Sequence, residues 1–128
     1  TWTEDTSVGA SETWRGITSS SDGTKLAAVV YNGNIWTSTD SGATWTSVGA
    51  TQTWDFITSS SDGTKLAATV KSGKIWTSTD SGATWTSRAT TQNWHGITSS
   101  SDGTKLAAVV NNGNIWASTI LEQHGPLG

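Results

Sequence analysis

Three stretches of this chain are nearly the same stretch. Trp14, Trp54 and Trp94 stand 40 residues apart, and so do Trp36, Trp76 and Trp116. Residues 14–53 match residues 54–93 at 30 of 40 positions, and residues 14–39 match 94–119 at 23 of 26. A strict period of this length marks units that each bury a face only against the next unit, so the fold must be an array. Identity this high points to a recent duplication or to a designed, consensus-like sequence.

Within one period the strand signals are clear. Residues 14–19 read as a first strand. Ser21-Asp22-Gly23-Thr24 is a turn whose glycine can take a positive φ. Residues 25–30 are apolar at consecutive positions rather than alternating, so both faces of this second strand should be buried. Asn32-Gly33 then predicts a type I′ hairpin turn. Residues 34–38 and 44–48 read as third and fourth strands. No segment carries a helical period. Abundant Ser, Thr and Gly with 13% charged residues would suit a flexible linker, but the nine tryptophans need burial that a disordered chain does not provide.

The reading is therefore all-β. Four short antiparallel strands in about 40 residues match one blade of a β-propeller, a small twisted sheet with neighbours on both faces. An open meander or a sandwich explains the strict period less well. The units are residues 14–53, 54–93 and an incomplete 94–119. Residues 1–13 are read as a closing strand and linker, and 120–128 as a tail outside the repeat.

One motif carries a family resemblance. Ser38, Asp40, Gly42, Thr44 and Trp45 follow the pattern S-x-D-x-G-x-T-W, and Ser78, Asp80, Gly82, Thr84 and Trp85 repeat it. The pattern resembles the Asp-box of BNR or sialidase-type propellers, found also in sortilin-type receptors and photosystem assembly factors. The resemblance implies a hairpin between third and fourth strands and a structural role for these ten residues. An Asp carboxylate there accepts hydrogen bonds from turn amides, and the tryptophan covers the turn.

Several function classes find no support. A formal charge of −3 with seven dispersed basic residues is no footprint for nucleic acid or an acidic membrane. Without cysteine there is no thiolate site or nucleophile. Neither His95 nor His124 stands in a catalytic order with Ser and Asp, no metal-ligand cluster is spaced for binding, and no cofactor is implied. Asp-box sialidases need an arginine triad and a tyrosine nucleophile. This chain has Arg15, Arg88 and Tyr31, so the expectation is a protein that is not an enzyme.

Variation between repeats clusters at Arg15/Asp55/His95, Gly16/Phe56/Gly96, Tyr31/Lys71/Asn111, Asn34/Lys74/Asn114 and Val48/Arg88. In a propeller these positions cluster on one face, with the invariant turns on the other. Candidate ligand residues on that variable face are Trp14, Arg15, Tyr31, Trp54, Asp55, Phe56, Lys71, Trp94 and His95. Aromatic platforms of this kind bind sugars, so a carbohydrate-binding propeller is the alternative to a structural or interaction scaffold.

Three blades do not close a ring, and propellers typically have 4–8. Thr1-Trp2-Thr3 matches Thr44-Trp45-Thr46, whereas Ile120 stands where the third repeat's Asp would fall. The chain thus opens on a fourth strand and leaves the repeat after a third. Self-association is expected, with residues 1–3 adding a strand to a neighbour's third repeat in the manner of propeller closure. A homodimer gives six blades and is the favoured closure; a homotrimer gives nine. The complete lack of methionine leads to the expectation of a chain trimmed or cut from something longer.

Overall fold

A computed structural model describes residues 1–8 and 12–119, so the tail at 120–128 lies outside the described residues. All named elements are strands: β1 (Trp14–Ser19), β2 (Leu26–Ser38), β3 (Thr46–Ser59), β4 (Leu66–Val70), β5 (Ile75–Ser78), β6 (Thr86–Ser87), β7 (Trp94–Ser99), β8 (Lys105–Val110) and β9 (Ile115–Thr119). Every pairing is antiparallel, in a six-stranded sheet ordered β1 to β6 and a three-stranded sheet β7-β8-β9.

Strand boundaries do not fall at four per repeat. β2 covers in one element the two strands that the second repeat separates into β4 and β5. β3 joins the fourth strand of the first repeat to the first strand of the second. The cause is pairing across the junction: Thr53 pairs with Tyr31 and Gln52 with Gly33, so residues expected to form a surface connection continue the ladder. After β6 this continuity fails, and only an isolated bridge between Gly73 and Gln92 remains.

The expected type I′ turn is also corrected. It needs positive φ at both central residues, but only Asn32 (φ 61), Ser72 (φ 53) and Asn112 (φ 59) are left-handed at these turns, and the following glycines are not. The Gly73 amide donates to Val70 O at 2.9 Å and that of Gly113 to Val110 O at 3.0 Å. Each turn is therefore centred one residue earlier than expected. Glycine is needed for space, since a Cβ at Gly33 would lie 2.6 Å from Val30 Cγ1.

Burial of the second strand follows its position in the array. All five residues of β4 are buried, as are Ala27, Ala28, Val29 and Val30 of β2. In β8 only Ala108 is fully buried, and Val109 is 41% exposed. One core cluster joins Val29 and Ile35 of the first repeat to Trp54, Ile57, Leu66 and Ala68 of the second. A smaller cluster joins Ile75 of the second to Trp94, Ile97 and Ala108 of the third. Each repeat thus packs its later strands on the first and second strands of the next, and a backbone hydrogen bond of 2.7 Å from the Ser21 amide to Ser61 O recurs from Ser61 to Ser101.

Candidate binding face at the repeat junctions

The first strand of each repeat carries the same irregularity. Trp14 pairs with Val30 and Gly16 with Val29, which leaves Arg15 as the extra residue of a bulge. The same shift leaves out Asp55 and His95. A bulge bends the strand and re-aims one side chain. Here it acts on a column whose three occupants all differ, which sequence reading placed on the variable face without seeing the bulge.

Neighbouring occupants of this face meet across the junctions. Arg15 Nη1 donates to Asp55 Oδ1 at 2.8 Å, and the guanidinium lies 4.3 Å from the Tyr31 ring centroid. Lys71 Nζ lies 5.8 Å from the same ring. Phe56 and His95 make an edge contact at 5.8 Å between centroids. Six of the nine candidate residues are thus gathered at the two junctions. Their charges and rings are engaged largely with each other: Asp55 is 7% exposed and its carboxylate is already ion-paired.

The three tryptophans of the set do not share one environment. Trp54 and Trp94 are each 1% exposed, so a ligand approaching the single chain does not reach their rings; Trp14 is 40% exposed. Trp54 packs against Trp85 at 6.1 Å, and its indole N–H donates to Ala50 O at 3.0 Å. Trp94 packs against Trp116 at 5.9 Å, and its buried N–H meets no acceptor.

The opposite turns are built locally. Asp40 Oδ1 accepts from the Thr44 amide at 2.9 Å and from the Ser38 hydroxyl at 2.8 Å, while Oδ2 accepts from the Thr44 hydroxyl at 2.6 Å. Asp80 repeats this with Thr84 and Ser78. These bonds, led by that of the threonine hydroxyl, hold both carboxyls at about 2, well below the usual carboxylate range. Ser41 (φ 63) and Gly42 (φ 95) are both left-handed, and the Trp45 indole closes the turn by donating to Gly42 O at 3.0 Å. The Ser41 amide donates to Thr24 O at 2.9 Å, which ties this turn to the Ser-Asp-Gly turn beside it.

Sequence reading missed the hub of that second turn. Ser20 is 5% exposed; its hydroxyl donates to Asp22 at 2.8 Å and accepts from the Lys25 amide at 3.1 Å. Ser60 and Ser100 repeat the arrangement. The available signal was the invariance of Ser20, Ser60 and Ser100 just before the turn. Lys25 reaches across the junction, donating to Asp62 O at 3.2 Å and laying its stem over Gly63.

Two grooves lie along the array. One of ≈ 440 Å³ is bounded by Trp14, Ile17, Ala28, Trp45 and residues Asp5 and Val8. The other, of ≈ 310 Å³, lies between the second and third repeats, beside Trp94, Ile75, Arg88 and Trp116. Residues 1–3 form no strand within the single chain, and Trp2 is fully exposed. Among the described residues no group of three or more His, Cys, Asp or Glu side chains is placed to hold a metal ion.

No protein-family model and no curated protein sequence matches the chain. Solved structures do match. The GH74 enzyme of Niastella koreensis shares 25% identity at a TM-score of 0.66, over 83% of this chain and 16% of its own. YCF48 from Cyanidioschyzon merolae shares 18% at 0.69, over 84% and 34%. A chain of a nidogen/laminin complex shares 15% at 0.71, over 85% and 45%. This chain therefore spans less than half the length of each of these. Their common ground is architecture, and with antiparallel sheets throughout, the chain is an all-β protein similar in fold to β-propellers.

Proposed function

We propose that the chain is a non-catalytic scaffold of the Asp-box propeller type, whose three repeats assemble head to tail with further copies of itself. The observation that carries this reading is a mismatch between equivalent residues. Ile57 is 8% exposed where Ile17 is 67%; Ile35 and Ile75 are 0% and 7% exposed where Ile115 is 77%. Ile17 and Ile115 lie on opposite ends of the array. Inside the array their equivalents share clusters: Ile35 with Ile57, Ile75 with Ile97. A second copy offers Ile115 the partner it lacks, and the contact repeats one that the chain already makes twice. Such a heterologous contact closes into a ring or propagates. Two copies supply six repeats and three supply nine; the dimer is the favoured closure.

A non-catalytic role is supported by how the reactive side chains are used. Arg15 is held by the Asp55 carboxylate and lies over the Tyr31 ring, and Arg88 Nε donates to Thr77 Oγ1 at 3.0 Å. These are the two arginines and the one tyrosine of the chain. No geometry favours a carbohydrate ligand over a second copy: the rings best placed to stack on a sugar, Trp54 and Trp94, are buried, and Trp14 belongs to the end face that needs covering.

Multi-angle light scattering tests the reading. It should return a discrete multiple of 13.4 kDa. Ile115→Ala should weaken association while leaving the dilute chain within about 0.5 kcal/mol of its original stability, as for a surface site. A folded monomer at micromolar concentration overturns the proposal.

A further inference from the structure

The groove beside Trp94 has a filled counterpart 40 residues earlier. At the first junction the Trp85 turn occupies that place. A Cβ on Gly82 would lie 3.4 Å from Thr37 Cγ2 and Val48 Cγ2, and one on Gly49 would lie 3.7 Å from Trp85 Nε1. Trp85 also packs against Trp54, the two rings tilted at 45°. At the second junction the equivalent residues Thr77, Arg88, Ala89 and Trp94 line the ≈ 310 Å³ groove. The third repeat reaches Thr119 and has no Trp at position 125 to play the part of Trp85. The unpartnered N–H of Trp94 marks the same junction as unfinished. An apolar cavity of about 150 Å³ already admits benzene, so this groove has room for one indole.

We infer that the groove is a binding site for Trp2 of a second copy, which stands in for the missing fourth-strand tryptophan of the third repeat. Trp2 lies in Thr1-Trp2-Thr3, the counterpart of Thr84-Trp85-Thr86, and is 100% exposed in the single chain. It does not reach its own groove. Asp5 is anchored on the first repeat through the Trp45 indole N–H at 3.0 Å, and the three residues from there to Trp2 span at most about 10 Å. That is the thickness of one sheet-to-sheet layer, while the groove lies past the first repeat, between the second and third. The docking also accounts for an empty place on the same copy. Lys25 and Lys65 lay their stems over Gly63 and Gly103, 2.7 Å from where a Cβ would stand, but Gly23 has nothing within 4 Å. In the register set by Trp2, Lys105 of one copy lies over Gly23 of the next.

This inference rests on head-to-tail self-association, and sedimentation equilibrium on four proteins separates the two. The proteins are the full chain, Trp2→Ala, Trp2→Phe and a chain ending at Thr119. Trp2 touches nothing in the single chain, so Trp2→Ala should keep the circular dichroism of the parent. Its association constant should fall about thirtyfold or more, the loss of a central aromatic anchor, with Trp2→Phe recovering part of it. The chain ending at Thr119 should associate as the parent does. Undiminished association of Trp2→Ala overturns the assignment of the groove and leaves self-association standing. Weakened association of the truncated chain alone assigns the groove to the chain's own tail and overturns it too. A full chain that stays monomeric overturns both readings.

Discussion

Trp54 and Trp94 are the same residue of the same motif in the same register, and each is 1% exposed. Yet Trp54 has the tilted Trp85 indole packed against it and an acceptor for its N–H, while Trp94 has a groove on one side and a buried donor without a partner. The difference does not come from nearby sequence on the C-terminal side, since residues 97–110 repeat 57–70 with one change, Thr69 to Val109. It comes from the third repeat's lack of a Trp85 equivalent and from residues 88–93. There β6 is two residues long, and the strand that continues as one element through β3 is interrupted. Identical strands acquire different environments because burial is a property of neighbours.

The most forceful way to break this comparison is to truncate both rings. Trp54→Ala should cost about 3–5 kcal/mol, the range for a large aromatic lost from a packed core. Trp94→Ala should cost about 1 kcal/mol less, because it also removes an unpaired buried donor. Urea unfolding below the concentration of association measures both, and equal costs would mean that the two junctions are energetically alike.

A smaller effect sharpens the comparison at the turns. Gly23 and Gly63 have nearly the same backbone, φ 78 and 79, so alanine at either strains it by about 1–2 kcal/mol. Only at Gly63 does the new methyl also meet Lys25, at 2.7 Å from Cδ. Gly63→Ala should therefore lower the thermal midpoint further than Gly23→Ala in dilute solution. Under conditions of association the gap should close, as Lys105 of a neighbour arrives over Gly23.

The smallest differences between repeats are expected in acid, where the turns act alone. Asp22 and Asp102 are held at about 2 by bonds led by the amides of Thr24 and Thr104, and Asp62 is lowered further still. Their folded values lie below the unfolded ones. The stability they contribute is fully present above about pH 4 and is lost as pH falls toward 2. Thermal midpoints should be flat from pH 7 to about 5 and then fall. Asp22→Asn and Asp102→Asn should each flatten that fall by a similar amount, because their turns have the same bonds, and Asp62→Asn by somewhat more.

These contrasts locate what was legible beforehand. The period, the all-β class and the turn sites at Ser-Asp-Gly and at Ser38 to Trp45 could be read from residues, since the donors and acceptors involved lie within five positions of one another. The hairpin expected at Asn32-Gly33 was placed one residue too late and with the wrong geometry. Its glycine answers to the bulk of Val30 across the turn, a contact that the dipeptide signal does not contain. The Arg15, Tyr31, Asp55 and Lys71 contacts were out of reach for the same reason: they join residues up to 40 positions apart through a bulge that no local signal announced.

By itself, the sequence determined the repeating unit, its strands and its acid-bonded turns, because those depend on hydrogen bonds between near neighbours in the chain. Tertiary structure decided which copy of each repeated residue is covered. Ile35, Ile75 and Ile115 are one letter at one period, and only the sheet packed against each of them sets whether it is 0%, 7% or 77% exposed.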